Sequence, residues 1–193
     1  VIAYLFAGQL QKYGANVFIV DSVSLAMCRE LSPIIVAIIV AGRSGSAYTA
    51  QIGTMKINQE IDAMRVLGLS PMQVLVIPRL IALMLAVPLL VFVGDIAGIF
   101  GGMLIAELQL GLTGSTYLDR LQTVLSVRHV LVGLVKAPVF AAFIATIGCM
   151  LGLSVENNAR AVGLGTTASV VKSIVAVILI NAAFAIILTE LKI

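Results

Sequence analysis

The sequence predicts an all-α, polytopic membrane protein with about five transmembrane helices. Of its 193 residues, 61% are hydrophobic and only 11% are charged, whereas a soluble domain carries about 25% charged residues. Mean hydropathy is +1.14, and several apolar runs reach the roughly 18 residues that span a bilayer. The alternating strands of about ten residues that build a membrane barrel are absent.

Charge and cysteine content exclude several other classes. The net charge of +3 is small and scattered, so it does not indicate nucleic-acid binding, and lysines and arginines flanking membrane spans explain it. Cys28 and Cys149 fall within apolar runs, where thiols act as small hydrophobes rather than as a disulfide framework or metal site. We predict no metal site and no catalytic residue.

The predicted spans alternate between two membrane faces, here called X and Y. Residues 1–10 are apolar but make only about half a span, so we expect the end of a first helix truncated at the N-terminus rather than a signal peptide. Four further spans are predicted at 17–41, 80–106, 130–153 and 170–188, with Pro88 a predicted kink. The whole chain, 1–193, is predicted to be a single domain.

The connecting segments lie on alternate faces. We expect a glycine/serine turn after residue 41 and a polar loop at 154–167 on X, and one surface helix within 107–128 on Y. Lysines and arginines favour X as the cytoplasmic face. Those near X are Arg43, Lys56, Arg65, Arg79, Arg160 and Lys172, and those near Y are Lys12, Arg120, Arg128 and Lys192.

Four charged residues fall inside predicted spans. At 1.5 Å per helical residue, Arg29, Glu30 and Asp95 lie about 18 Å from face Y and Lys136 about 10 Å. Such charges are costly and face a cavity or one another. One interpretation is a polar patch in an apolar cavity for an amphipathic ligand, with Arg29 or Lys136 meeting an anionic headgroup. The alternatives are structural ion pairs, or a relay in an ion- or proton-coupled carrier.

A charged helix is predicted on face X at Asn58–Leu67. Ile57, Ile61 and Met64 share one side of it. Both an interfacial helix on the lipid surface and a helix that docks into the groove of a soluble partner fit this pattern. Its polar residues are Asn58, Gln59, Glu60, Asp62 and Arg65.

Glycines spaced four residues apart predict close helix packing. They are Gly94, Gly98 and Gly102 in one span and Gly148 and Gly152 in another. A serine protease built on Ser44 and His129 is disfavoured, because the predicted topology places these residues on opposite faces, about 30 Å apart. The sequence also lacks a phosphate-binding P-loop, so any nucleotide must be bound by another subunit.

Several motifs together resemble the MlaE (YrbE) permease family over nearly the whole chain. They are Arg29-Glu30-Leu31-Ser32-Pro33, Ala41-Gly42-Arg43-Ser44-Gly45-Ser46-Ala47, Ile52-Gly53-Thr54-Met55 and Gly68-Leu69-Ser70-Pro71, followed by Val162-Gly163, Thr166-Thr167 and Val170-Val171. This family comprises the membrane subunits of phospholipid-transporting ABC systems that work with MCE-domain proteins.

The resemblance implies a homodimeric, non-catalytic permease in the bacterial inner membrane. It implies as partners a cytoplasmic ATPase that binds ATP and Mg, a periplasmic MCE-domain protein and a small STAS-domain subunit. The implied cargo is phospholipid, moved in support of outer-membrane lipid asymmetry. The implied lipid pocket uses Tyr13, Arg29, Glu30 and Lys136, and the helix 58–67 is implied to couple to the ATPase. The sequence departs from the family pattern at Gln51, Asn157-Asn158 and Arg160. Because the last three of these residues lie in the loop at 154–168, partner contacts are not carried onto that loop.

Overall fold

A computed structural model describes residues 18–190, and within this range the side chains of Ile19 and Leu110 are not described. Tyr13 and the predicted first partial span lie outside it. The helices are α1 (Phe18–Ala26), α2 (Ser32–Val40), α3 (Ser46–Ile57), α4 (Glu60–Val66), α5 (Ile77–Leu110), α6 (Gly114–Val124), α7 (Val127–Ser154) and α8 (Ala159–Glu190). Three π-helical turns, Met27–Leu31, Ala41–Gly45 and Met72–Val76, lead into α2, α3 and α5.

Four helical stretches in residues 18–190 are long and apolar enough to cross a membrane. They run Val20–Ile57, Met72–Gln109, Val127–Ser154 and Ala159–Glu190. They confirm the four later predicted spans and the all-α class, and each is longer than predicted. Pro88 lies inside α5 without ending it, and α6 confirms the helix expected within 107–128.

The predicted glycine/serine turn after residue 41 is wrong, because the chain continues as the π-helical turn Ala41–Gly45 into α3. The Ser46 hydroxyl donates to the carbonyls of Gly42 (2.5 Å) and Arg43 (3.1 Å). Side-chain hydroxyls of this kind sustain irregular helix within a membrane.

The polar loop predicted at 154–167 is also too long, since α8 already begins at Ala159. The side chain of Asn158 accepts a hydrogen bond from the backbone N–H of Ala161 at 2.7 Å, which is the geometry of an N-cap. Thr166 and Thr167 both donate to the carbonyl of Gly163. The threonines therefore lie within a helix rather than in a loop.

The described residues divide into two compact units, of which the first comprises residues 18–33 and 90–135. Within its described part, α6 packs through Tyr117 against Val20, Val23 and Ala106. Arg120 of α6 donates two hydrogen bonds to the Asp21 carboxylate, at 2.9 and 2.6 Å. An amphipathic helix is thereby fixed to α1 by one buried aromatic ring and one ion pair.

The second unit comprises residues 34–89 and 136–190. The backbone approaches closely at Gly45 and Gly148, where a Cβ atom added to Gly148 would stand 2.7 Å from the Gly45 carbonyl oxygen. The Thr49 hydroxyl bridges the same two helices by donating to the Gly148 carbonyl at 2.9 Å. A Cβ atom at Gly152 would likewise meet Ile52 at 2.8 Å. These contacts confirm close glycine packing, here within one chain.

Whether the whole chain behaves as one domain stays a prediction.

Candidate functional site

Arg29 and Glu30 lie on the π-helical turn Met27–Leu31, inside the first described span. Pro33 has no N–H to give to the carbonyl four residues earlier, and the turn widens so that the N–H of Ser32 bonds to Met27 instead. Both charged side chains are half-buried. The sequence Arg-Glu-Leu-Ser-Pro thus produces a local irregularity that carries an adjacent charge pair into a membrane span.

Asp95 of α5 belongs to the same unit and is 3% exposed. Neither carboxylate oxygen has a hydrogen-bond donor among the described residues. Its polar neighbours are Ser32 and Cys28, but the Ser32 hydroxyl donates its single proton to the carbonyl of Val91 at 3.1 Å. A buried carboxylate with so little compensation costs several kcal/mol, which favours a functional role over a purely structural one.

Lys136 lies on α7, about 14 Å along the helix from Val127 at 1.5 Å per residue. Its side chain is 1% exposed. The lysine is thus buried in the protein, within a helix that is long and apolar enough to cross a membrane. Lys136 belongs to the second unit, whereas Arg29, Glu30 and Asp95 belong to the first; Tyr13 lies outside the described residues. The assignment of these residues to lipid binding stays a prediction.

The predicted helix on face X is present as α4, and it begins two residues later than expected because Gln59 adopts a left-handed conformation (φ 62°). Ile61 is 2% exposed and packs against Ile52, Leu75, Val76 and Cys149 of its own unit. Met64 packs against the same cluster. The apolar stripe seen in the sequence therefore holds α4 to the chain and is not available to a partner.

The opposite side of α4 is polar and exposed. Glu60, Asp62 and Arg65 all reach solvent, and Asp62 and Arg65 form an ion pair at 3.2 Å with both side chains 64% exposed. Asn58 donates to Glu60 at 3.1 Å. The polar residues predicted to meet a partner thus lie on the outer surface of the second unit.

Sequence reasoning missed two apolar residues at the end of this segment. Val66 is 87% exposed and Leu67 is 75% exposed, which is unusual for large apolar side chains beside a charged surface. Because both lie outside the stripe of Ile57, Ile61 and Met64, the helical periodicity did not select them. Their position just before Gly68, whose φ is +75°, is the signal that could have identified an exposed helix end.

Lys56, at the end of α3, connects the helix before α4 to the end of α7. Its ammonium group donates to the carbonyls of Leu153 (2.9 Å) and Val155 (2.7 Å) at the end of α7. A cation at this position satisfies carbonyls that have no partner in the helix and opposes the negative end of the helix dipole. Lys56 therefore connects the end of α3, next to α4, to the end of α7.

Comparison with known proteins assigns the family. The family model described as permease MlaE matches residues 1–187. A Synechocystis protein named "Probable ABC transporter permease protein" is 37% identical over 169 residues, covering 88% of this chain and 64% of that protein. A Rickettsia typhi protein of the same description is 37% identical over 170 residues, with coverages of 88% and 66%. The Arabidopsis thaliana protein TRIGALACTOSYLDIACYLGLYCEROL 1, chloroplastic, is 36% identical over 172 residues, with coverages of 89% and 49%. The chain therefore spans less than two thirds of the length of each of these relatives.

Proposed function

Because the chain belongs to the MlaE permease family, we propose that it is the membrane-spanning, non-catalytic permease subunit of an ATP-driven phospholipid transporter. The transporter resides in the bacterial inner membrane and moves lipid between that membrane and a periplasmic MCE-domain protein, which maintains outer-membrane lipid asymmetry. A second copy of the chain completes the membrane domain. A cytoplasmic ABC ATPase, with a small STAS-domain subunit, binds ATP and Mg and supplies the energy.

Two of the relatives support the transporter class and one supports the cargo. The Synechocystis and Rickettsia proteins are named as ABC transporter permeases. The Arabidopsis protein carries the name of trigalactosyldiacylglycerol, which is a glycerolipid. A glycerolipid cargo would explain why a chain with 61% hydrophobic residues keeps charged groups within its spans.

The observation that carries the proposal is the placement of Arg29 and Glu30 on an irregular turn within a span, together with a buried Lys136. A guanidinium group binds a phosphate through two parallel N–H donors, and an ammonium group binds it as a point charge. Arg29 and Lys136 would therefore face the headgroup, and Glu30 would orient or gate Arg29. Tyr13 joins them on the resemblance alone, and the acyl chains would occupy an apolar cavity at the dimer interface.

The headgroup assignment is tested by Arg29→Glu and Lys136→Asp in the purified complex. Each removes a charge-assisted interaction and adds repulsion, so we expect bound phospholipid, measured by mass spectrometry, to fall about tenfold or more. Arg128→Glu, which reverses an exposed charge at the start of α7, is the matched control and should leave bound lipid unchanged. Unchanged lipid cross-linking at residues 29 and 136 in the variants would refute the assignment.

Coupling to the ATPase is assigned to the outer surface of α4. Closing of the ATPase would push on Asn58, Gln59, Glu60, Asp62 and Arg65, and the bond from Lys56 would carry the displacement to α7. We expect Glu60→Lys and Asp62→Lys to lose the ATPase on co-purification while the chain stays folded. Asp119→Lys, an exposed reversal on α6, should retain it. Normal co-purification of the α4 variants would refute the coupling role.

A second candidate function is an ion- or proton-coupled carrier, and Asp95 favours it. A carboxylate that is 3% exposed and has no hydrogen-bond donor within residues 18–190 suits exchange of a proton or cation in a relay with Arg29, Glu30 and Lys136. The two candidate functions differ in their source of energy, which is ATP for the permease and an ion gradient for the carrier. Transport that persists without ATP but stops when the proton gradient is collapsed would establish the carrier and overturn the ABC assignment.

A further inference from the structure

A groove of about 440 Å³ opens between α3 and α5 within the second unit. It is lined by Ala50, Gln51, Thr54, Met55 and Arg79. It involves none of the residues assigned above to lipid or ATPase binding. Its walls are mostly apolar, and its polar groups are a guanidinium, an amide and a hydroxyl. No acidic side chain is among the described residues that line it.

Arg79 is the only charged group among the described residues of the groove. The guanidinium stacks over the ring of Tyr48, with its central carbon 5.4 Å from the ring centroid. This contact holds the guanidinium beside the ring. One terminal nitrogen, Nη1, is buried and has no hydrogen-bond acceptor among the described residues, so the donors that a ligand in the groove can reach are those on the other guanidinium nitrogens. The groove therefore contains a cation held in place by an aromatic ring.

The other polar groups of the groove complement an anion. The Thr54 hydroxyl already donates to the carbonyl of Ala50 at 2.9 Å. The Gln51 side chain is exposed and carries two N–H donors. An anionic oxygen between Arg79 and Gln51 would satisfy donors on both sides while apolar atoms of Met55 lie beside it.

The position of the groove along the helices identifies the source of the anion. Both Val20–Ile57 and Met72–Gln109 contain 38 residues, so each is about 57 Å long at 1.5 Å per residue. A hydrocarbon core of about 30 Å is much shorter than either stretch, so the ends of the stretches extend beyond it. Arg79 lies about 10 Å from the beginning at Met72, and Gln51 and Thr54 lie about 9 and 5 Å from the end at Ile57. Side chains this close to the end of a span can reach lipid phosphates.

From these contacts we infer that Arg79 and Gln51 bind the phosphate of a membrane phospholipid at the X face. Arg79 donates to a phosphate oxygen, Tyr48 keeps the guanidinium in place, and Met55 contacts the glycerol end of the acyl chains. The site stands apart from the transport function proposed above, since lipid binding here requires neither ATP nor an MCE partner.

The test measures lipid bound to the purified transporter by native mass spectrometry, with Arg29 and Lys136 intact. The probes are phosphatidylglycerol, diacylglycerol of the same chain length, and inorganic phosphate. We expect one phosphatidylglycerol per chain, and we expect Arg79→Gln to weaken its binding about tenfold, the effect of losing one charge-assisted hydrogen bond. Arg160→Gln removes an exposed arginine of the same unit and should have no effect. Diacylglycerol should not occupy the site.

Gln51→Glu provides a variant that keeps the shape of the groove. It places a negative charge beside Arg79 and should also weaken phosphatidylglycerol, whereas Gln122→Glu, an exposed position on α6, should not. Equal binding by Arg79→Gln, Gln51→Glu and the parent protein would overturn the proposal. Binding of diacylglycerol as tight as phosphatidylglycerol, or displacement of the lipid by equimolar inorganic phosphate, would overturn the assignment to a lipid phosphate. Absence of ATP-dependent lipid transport by the parent complex, with phosphatidylglycerol still bound in the groove, would count against the permease function alone.

Discussion

Replacing Gly148 with alanine should destabilise the protein by an amount that its contacts determine. The added Cβ would stand 2.7 Å from the carbonyl oxygen of Gly45 and 3.4 Å from its carbonyl carbon and Cα. These are backbone atoms, so no side chain can rotate away. Restoring ordinary contact at about 3.4 Å requires the two helices to separate by about 0.7 Å.

The separation has a second effect at the same place. It lengthens the bond from the Thr49 hydroxyl to the Gly148 carbonyl from 2.9 Å to about 3.6 Å, beyond hydrogen-bonding distance. Overpacking destabilises the folded state by about 2 kcal/mol and the lost hydrogen bond by about 1 kcal/mol. The higher helix propensity of alanine stabilises it by about 1 kcal/mol. The expected net loss is about 2 kcal/mol.

Gly163 supplies a matched control in the same unit. A Cβ atom there meets nothing within 4 Å, so Gly163→Ala should stabilise α8 by about 0.5–1 kcal/mol through propensity alone. The free energy of unfolding in detergent, measured by denaturant titration, should therefore change in opposite directions for the two variants. Equal stabilities for Gly148→Ala and Gly163→Ala would refute the backbone contact between Gly45 and Gly148.

Three further predictions concern side-chain contacts between helices. Lys56→Met should lower the free energy of unfolding by about 2 kcal/mol, because two carbonyls lose a charged donor at a half-buried site. Lys172→Met, at an exposed position, should not lower it, and equal thermal unfolding of the two variants would contradict the capping role. Reversing either Asp21 or Arg120 alone should expose α6 to protease, whereas exchanging both charges should restore resistance, and no rescue would argue against their ion pair. Burial raises the pKa of the Tyr117 hydroxyl, so its absorbance change at 295 nm should occur at a higher pH than that of an exposed tyrosine. The folded state should therefore lose stability as the pH rises past about 10, the pKa of a tyrosine in the unfolded chain. A Tyr117 titration at the exposed value would show that the ring is not buried.

The sequence predicted the four later spans because apolar runs of this length have few other structures available. It failed at Gly42–Gly45 and at Gly163–Thr167, where glycine, serine and threonine resemble loops in a soluble protein. In these helices the hydroxyls of Ser46, Thr166 and Thr167 donate hydrogen bonds to backbone carbonyls one turn earlier. Composition alone cannot distinguish that arrangement from a turn.

The candidate site was predictable to the extent that it depends on charge within apolar sequence. Arg29, Glu30, Asp95 and Lys136 stand out by type and depth, and the burial of Asp95 and Lys136 agrees with that reading. Arg79 looked like an ordinary flanking arginine. Its stacking on Tyr48 depends on the pairing of α3 with α5, which no local pattern specifies.

An electron cryo-microscopy map of the assembled transporter with its native lipid would show directly whether the charged residues within the spans bind a lipid headgroup, as we propose. We expect headgroup density within hydrogen-bonding distance of Arg29 or Lys136, with acyl chains in an apolar cavity. Density that shows these side chains bonded only to protein, with the acyl chains elsewhere, would contradict it.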